Sequence, residues 1–124
     1  GISILAASGD SGVCGFEGCG VISKRFHAVF PASSPYVTAV GGTAFARLGV
    51  IGEEKVWPSS GGGFSDVFGV ADFQREAVAQ YQANPAVKLP PANQWNESGR
   101  GYPDIAALSV DFCEIGTAGA LGVS

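Results

Sequence analysis

The stretch Ile2-Ser3-Ile4-Leu5-Ala6-Ala7-Ser8-Gly9-Asp10-Ser11-Gly12 changes character at its midpoint. Residues 2–7 are almost uniformly apolar, the pattern of a strand covered on both faces, as in a parallel sheet. From Ser8 onward the chain is polar and glycine-rich, so a strand runs into a loop. In open α/β sheets, ligands gather where strand ends meet loops. An acid at that junction, between glycines that let the backbone approach a bound molecule, is a candidate site residue. Asp10 has a second reading, as a turn residue hydrogen-bonded to its own backbone. The pentapeptide alone supports both.

Composition narrows the setting. The 124 residues suffice for one domain, and 46% hydrophobic with 15% charged residues is globular. Low charge and 19 glycines suggest a buried sheet with many tight turns. The net charge is −4 and no basic cluster exists, so no nucleic-acid partner is expected: a phosphate backbone needs Lys or Arg to neutralise it. No glycine-rich loop carries the Lys of a phosphate cradle. There is no apolar run near the length of a membrane span and no signal-type segment, and no membrane association is expected. The chain has no Met and opens directly on a strand, the expectation for an internal piece of a longer protein. Nothing indicates an oligomeric state.

Residues 8–29 read as a long loop. Residues 36–40 form a second β-rich run, stopped by Gly41-Gly42. Residues 43–48 and 53–57 suggest a hairpin through Gly49 and Gly52. Residues 59–63 are loop. The spacing of Phe73, Ala77 and Tyr81, with Val78 beside them, predicts a helix over 72–83 whose stripe packs in the core, with Asp72 as N-cap. Residues 84–101, with Pro85, Pro90 and Pro91, read as a surface loop, and within it Asn96-Glu97-Ser98 is an N-glycosylation sequon. Residues 105–108 form a last core strand, and 111–123 a hairpin around Gly116 and Gly119.

The three cysteines are Cys14, Cys19 and Cys113. A zinc site would want more Cys or His nearby, and the only histidine is His27. A Cys14–Cys19 disulfide is one candidate; pairing with Cys113, or with a cysteine outside the chain, is another. Disulfides would suit an oxidising compartment.

Three further blocks follow the Ser8–Gly12 pentapeptide in order. They are Phe30-Pro31-Ala32-Ser33-Ser34-Pro35-Tyr36-Val37-Thr38-Ala39-Val40-Gly41-Gly42-Thr43, Ser59-Ser60-Gly61-Gly62-Gly63-Phe64-Ser65-Asp66-Val67-Phe68, and Ser98-Gly99-Arg100-Gly101-Tyr102-Pro103-Asp104-Ile105-Ala106-Ala107-Leu108. Together the four resemble the sedolisins, or serine-carboxyl peptidases. The resemblance implies an α/β fold, part of a subtilisin-like three-layer domain with a mostly parallel sheet. It implies that residues 1–124 are the C-terminal portion of a peptidase catalytic domain, cut just before the nucleophile. The implied activity is acyl-enzyme hydrolysis of peptide bonds at acidic pH, by release of tripeptides or by internal cutting, in a secreted, lysosomal or vacuolar protein whose partner is a peptide or protein substrate.

Sedolisins use a Ser nucleophile, a Glu base, an Asp that supports the Glu and a further Asp in the oxyanion hole. Asp10 matches the last. A protonated carboxyl can donate to the charge that builds on the carbonyl oxygen; a carboxylate cannot. The subtilisin-like arrangement implies that Ala6, Ala7, Ser8 and Gly9 line the primary specificity pocket; tight packing of small residues is the alternative. The family's Glu and Asp lie four apart, and no Glu here is followed four positions later by Asp, so the base is expected upstream. Ser124 reads as the first Ser of a Ser-Gly-Thr-Ser motif, with the nucleophile three residues further on. Calcium is implied for the whole protein with ligands downstream; within this chain no metal ligand or other cofactor is named. His27 is expected to be a surface or packing residue, Asp104 a structural acid paired internally, and Ser59 to Gly63 a backbone-shape requirement.

Two rivals stand beside this reading. Gly9-Asp10-Ser11-Gly12 echoes the nucleophile motif of chymotrypsin-like proteases, with Ser11 reactive. That motif continues with Gly where this chain has Val13, and the lone His follows the Ser instead of preceding it. The other rival is a homologue that kept the fold, lost catalysis and serves as a scaffold.

Overall fold

The computed structural model describes residues 1–16, 18–20, 25–47, 50–110, 113–115 and 121–123. In chain order the elements are β1 (Leu5–Ala7), β2 (Thr38–Phe45), β3 (Glu54–Val56), β4 (Gly63–Gly69), α1 (Arg75–Ala83), β5 (Gly99–Tyr102), β6 (Ile105–Leu108), β7 (Cys113–Ile115) and β8 (Leu121–Val123). The chain is thus α/β.

The organising strand is β2. On one edge it pairs in parallel with β6, from Val40↔Ile105 to Thr43↔Leu108. Its other edge is shared. Leu5, Ala6 and Ala7 of β1 pair in parallel with Thr38, Ala39 and Val40. Val56, Lys55 and Glu54 of β3 pair antiparallel with Thr43, Ala44 and Phe45. The neighbour of β2 therefore changes between Val40 and Thr43. Two of the three pairings in this sheet are parallel, as the sequence suggested.

Gly41-Gly42 do not stop the strand as expected; β2 runs through both. Their glycine character serves close approach instead. A β-carbon on Gly41 would sit 2.7 Å from the Pro103 ring, and one on Gly42 would strike the Ser109 hydroxyl and lie 3.1 Å from the Trp57 ring. The expected 43–48/53–57 hairpin is present as β2–β3 in a shorter form.

The described residues do not themselves supply the cover expected on both faces of residues 2–7: Ile2, Ile4 and Leu5 are 93%, 55% and 68% exposed. Among the described residues the one α-helix packs on β4–β5 and not on β1. Val78 of α1 lies against Gly101 of β5, and the Tyr81 ring is 6.3 Å from that of Phe64 in β4.

The β4–β5 ladder corrects the reading of 84–101 as one surface loop, because its end pairs with β4 through Phe64↔Gly101 and Gly63↔Tyr102. Gly-Arg-Gly-Tyr has little strand propensity of its own, so only long-range pairing makes it a strand. A bulge separates Phe64 from Gly69, and there the buried Ser65 hydroxyl accepts from the Val67 and Phe68 N–H groups. On the far side of β5 the Gln74 side-chain amide stands in for a strand. Its Nε2 donates to the Gly101 carbonyl and its Oε1 accepts from the Gly101 N–H, both at 2.9 Å.

The helix also departs from expectation. Asp72 opens a 3-10 turn and caps nothing; its carboxylate pairs with Arg75, and α1 starts at Arg75. Phe73 and Tyr81 are 69% and 49% exposed, so the stripe is not core. The core is smaller and elsewhere, built from Val29, Ala32, Ala39 and Tyr102, with Ala6 and Ala28 against it. The Tyr102 hydroxyl accepts the Val29 N–H at 2.8 Å. Burial holds its phenol above the ordinary value, against a smaller opposing pull from that hydrogen bond.

Beside this core lies a buried ion pair. The Arg100 side chain is fully buried and donates to Asp104 at 2.6 Å. Asp104 accepts the Ala39 N–H and returns its own N–H to the Ala39 carbonyl. It is thus paired internally, as expected. At the C-terminal end β7 and β8 pair antiparallel, Cys113↔Val123 to Ile115↔Leu121, in the expected hairpin; Gly116 and Gly119 lie outside the described residues.

Candidate active site

The site forms where β2 changes partners. Ser8 makes the last parallel ladder bond, its N–H donating to the Val40 carbonyl. The next amide along β2, that of Gly42, turns to the Ser60 hydroxyl at 2.9 Å. Its carbonyl accepts the Trp57 N–H at 3.1 Å. Ser60 thus ends the parallel pairing, and Ser8-Gly9-Asp10 is released from the sheet edge.

Ser59–Gly61 then fixes the path of the released turn. Gly61 donates to the Gly9 carbonyl at 2.6 Å, and Gly12 donates to the Ser59 carbonyl at 3.1 Å. A β-carbon on Gly61 would collide with the Ser8 carbonyl, which no neighbouring backbone can relieve cheaply. The backbone-shape requirement read for Ser59 to Gly63 has this content at Ser60 and Gly61. Gly9 adopts φ 100°, a conformation that favours glycine.

The result is a cleft of about 270 Å³. It brings together Ala6, Ala7, Ser8, Gly9 and Asp10 with Gly42, Trp57 and Ser109. Ser8 is buried, Ala6 and Gly9 are half-buried, and Ala7 and Asp10 are exposed. Among the described residues the Asp10 carboxyl has no hydrogen-bond or ion-pair partner, so its acceptor and donor capacity faces the cleft and solvent. The turn-residue reading of Asp10 requires a bond to nearby backbone, and no such bond is made.

On the far side of the turn, Cys14 and Cys19 are joined in a disulfide with Cα atoms 4.7 Å apart. His27 is half-buried, and its backbone N–H donates to the Val13 carbonyl. Asn96 is half-buried in its loop; its Nδ2 donates to the Ser65 carbonyl and its Oδ1 accepts from the Ser98 hydroxyl. A larger hollow of about 760 Å³, lined by Phe64, Tyr81, Trp95 and Tyr102, does not reach Asp10. Among the described residues the one acid on it is Asp104, already committed to Arg100. Ser124 lies outside the described residues. Among those described, no group of three or more His, Cys, Asp or Glu could hold a metal ion, and no helix is long and apolar enough to cross a membrane.

No family model matches the chain. Curated relatives do. Over 111 residues the chain is 51% identical to tripeptidyl-peptidase 1 of Mus musculus, covering 88% of this chain and 19% of the relative. The same enzyme of Macaca fascicularis is 51% identical and that of Homo sapiens 50%, with the same coverage. This similarity bears out the resemblance carried by the four sequence blocks. The chain spans about a fifth of the length of these relatives.

The sedolisin blocks acquire a common purpose in the structure. Ser8–Gly12 is the turn, Phe30–Thr43 supplies β2, Ser59–Phe68 braces the turn, and Ser98–Leu108 supplies the buried ion pair and β6. Two contributors had no reading in the sequence. Trp57 precedes the Ser59 block by two residues, a lone aromatic ahead of a glycine loop being the one hint. Arg100 was visible only as Arg-x-x-x-Asp spacing to Asp104.

Proposed function

We propose that the polypeptide carrying this chain is a serine-carboxyl peptidase. It hydrolyses peptide bonds at acidic pH through an acyl-enzyme, as a tripeptidyl-peptidase or an endopeptidase. Asp10 is the oxyanion-hole acid, and Ala6, Ala7, Ser8 and Gly9 are the substrate-facing wall. The observation that carries this reading is the cleft at the partner change of β2, where the first four residues and Asp10 share one opening. The named function of the relatives supports it.

In this mechanism the nucleophile attacks the peptide carbonyl, and negative charge develops on its oxygen. The Asp10 carboxyl, while protonated, donates to that oxygen; a preorganised donor acts without reorganising at the moment of reaction. The brace at Ser60 and Gly61 supplies that preorganisation. The Ser nucleophile and the Glu/Asp pair come from sequence outside residues 1–124, the chain being a C-terminal portion of the catalytic domain, within a subtilisin-like three-layer arrangement. Calcium, implied by the resemblance, would have its ligands downstream. Asn96 is the glycosylation site of a secreted or lysosomal protein, and peptide or protein substrate is the partner.

Incubating the full-length protein with an unmodified peptide at acidic pH, and reading products by mass spectrometry, tests the activity. Cleavage is expected, with fragments of three residues for a tripeptidyl-peptidase and internal fragments for an endopeptidase. A peptide that stays intact at every pH favours the scaffold.

A further inference from the structure

Among the described residues that line the cleft one is aromatic, Trp57, and the family blocks do not include it. Trp57 follows β3 directly, and its backbone N–H is pinned to the Gly42 carbonyl. Its ring lies so near β2 that a β-carbon on Gly42 would touch Cε3 at 3.1 Å. Glycine at 42 is therefore what gives the indole its seat. Leu5, Val40 and Leu108 line the same cleft, together with small residues and Asp10. Trp57 is half-buried, and among the described residues its indole N–H has no acceptor. An aromatic ring beside these aliphatic residues is a surface for an apolar side chain, and aromatic pairs add about 0.5–1.5 kcal/mol beyond the area they bury.

We propose that Trp57 is a specificity-determining residue. It contacts the side chain that a peptide substrate places in the Asp10 cleft, and it favours a large apolar or aromatic one over a small one. This rests on the peptidase reading above and deepens it.

The test compares kcat/KM of the full-length protein for two peptides that differ only in the residue before the cut bond, Phe or Ala. Trp57→Ala is expected to lower the Phe-to-Ala ratio of kcat/KM by about tenfold, the scale at which apolar pocket contacts discriminate. Trp57→Phe, which keeps a ring on Gly42, is expected to retain most of the ratio and guards against a misfolded alanine variant. A Phe-to-Ala ratio unchanged in Trp57→Ala while both peptides are still cut overturns the inference and leaves the peptidase reading intact. Absence of cleavage by the unsubstituted protein overturns both.

Discussion

Asp10→Ala in the full-length protein is expected to lower kcat by about a hundred- to a thousandfold, the cost of one lost oxyanion donor. KM should change little. The charge that Asp10 meets exists only as the carbonyl is attacked, so its removal is felt in the transition state and not in the bound ground state. The fold gives no reason for collapse, because the Asp10 side chain is exposed and no hydrogen bond or ion pair of the described residues depends on it. What holds the turn is backbone: Gly61 to Gly9, and Gly12 to Ser59. Steady-state kinetics with unchanged thermal unfolding would check both halves. A kcat within about threefold of the unsubstituted protein's removes Asp10 from the mechanism.

The second large effect is on stability. Asp104→Ala should destabilise by about 3–5 kcal/mol, the cost of leaving the buried Arg100 charge without its partner, and Arg100→Met by less, because the carboxylate it leaves reaches water. Arg100 is fully buried, and Asp104 is 18% exposed. Losing Arg100 also removes its donors to the Val37 and Gly101 carbonyls. Losing Asp104 strips the Ala39 N–H of its acceptor, near the start of β2. Because the two act as a unit, the double variant should cost less than the sum. Denaturant unfolding of the full-length protein measures this. A loss under about 1 kcal/mol in Asp104→Ala would show that water, not Asp104, satisfies Arg100.

The strand-to-loop junction that shapes this cleft was legible in the sequence, and the reason is local. The strand-to-loop change at Ala7–Ser8 is written in adjacent residues, and so is the glycine density that lets the turn leave the sheet. What could not be read depended on residues far apart. Gly41-Gly42 look like a stop when read alone; only the Pro103, Trp57 and Ser109 side chains against them explain glycine inside a strand. The stripe Phe73, Ala77, Tyr81 has helical spacing, yet periodicity does not say what the helix meets. Here it meets β4–β5 and leaves Phe73 and Tyr81 exposed. β5 was read as loop because Gly-Arg-Gly-Tyr pairs only through a partner more than thirty residues away, with Gln74 serving its other edge. Arg100 looks like a surface charge until its Asp104 partner closes over it.

The claim on which the mechanism turns is that Asp10 acts as a proton-bearing donor. Replacing it with Asn, of equal size, tests that most directly, because an amide donates whatever the pH. The measurement is kcat of Asp10→Asn, of Asp10→Ala and of the unsubstituted protein at one acidic pH. The expected result is an Asn variant far faster than Asp10→Ala, because its amide still donates to the carbonyl oxygen. An Asn variant as slow as the alanine one, and equally well folded, would contradict the account.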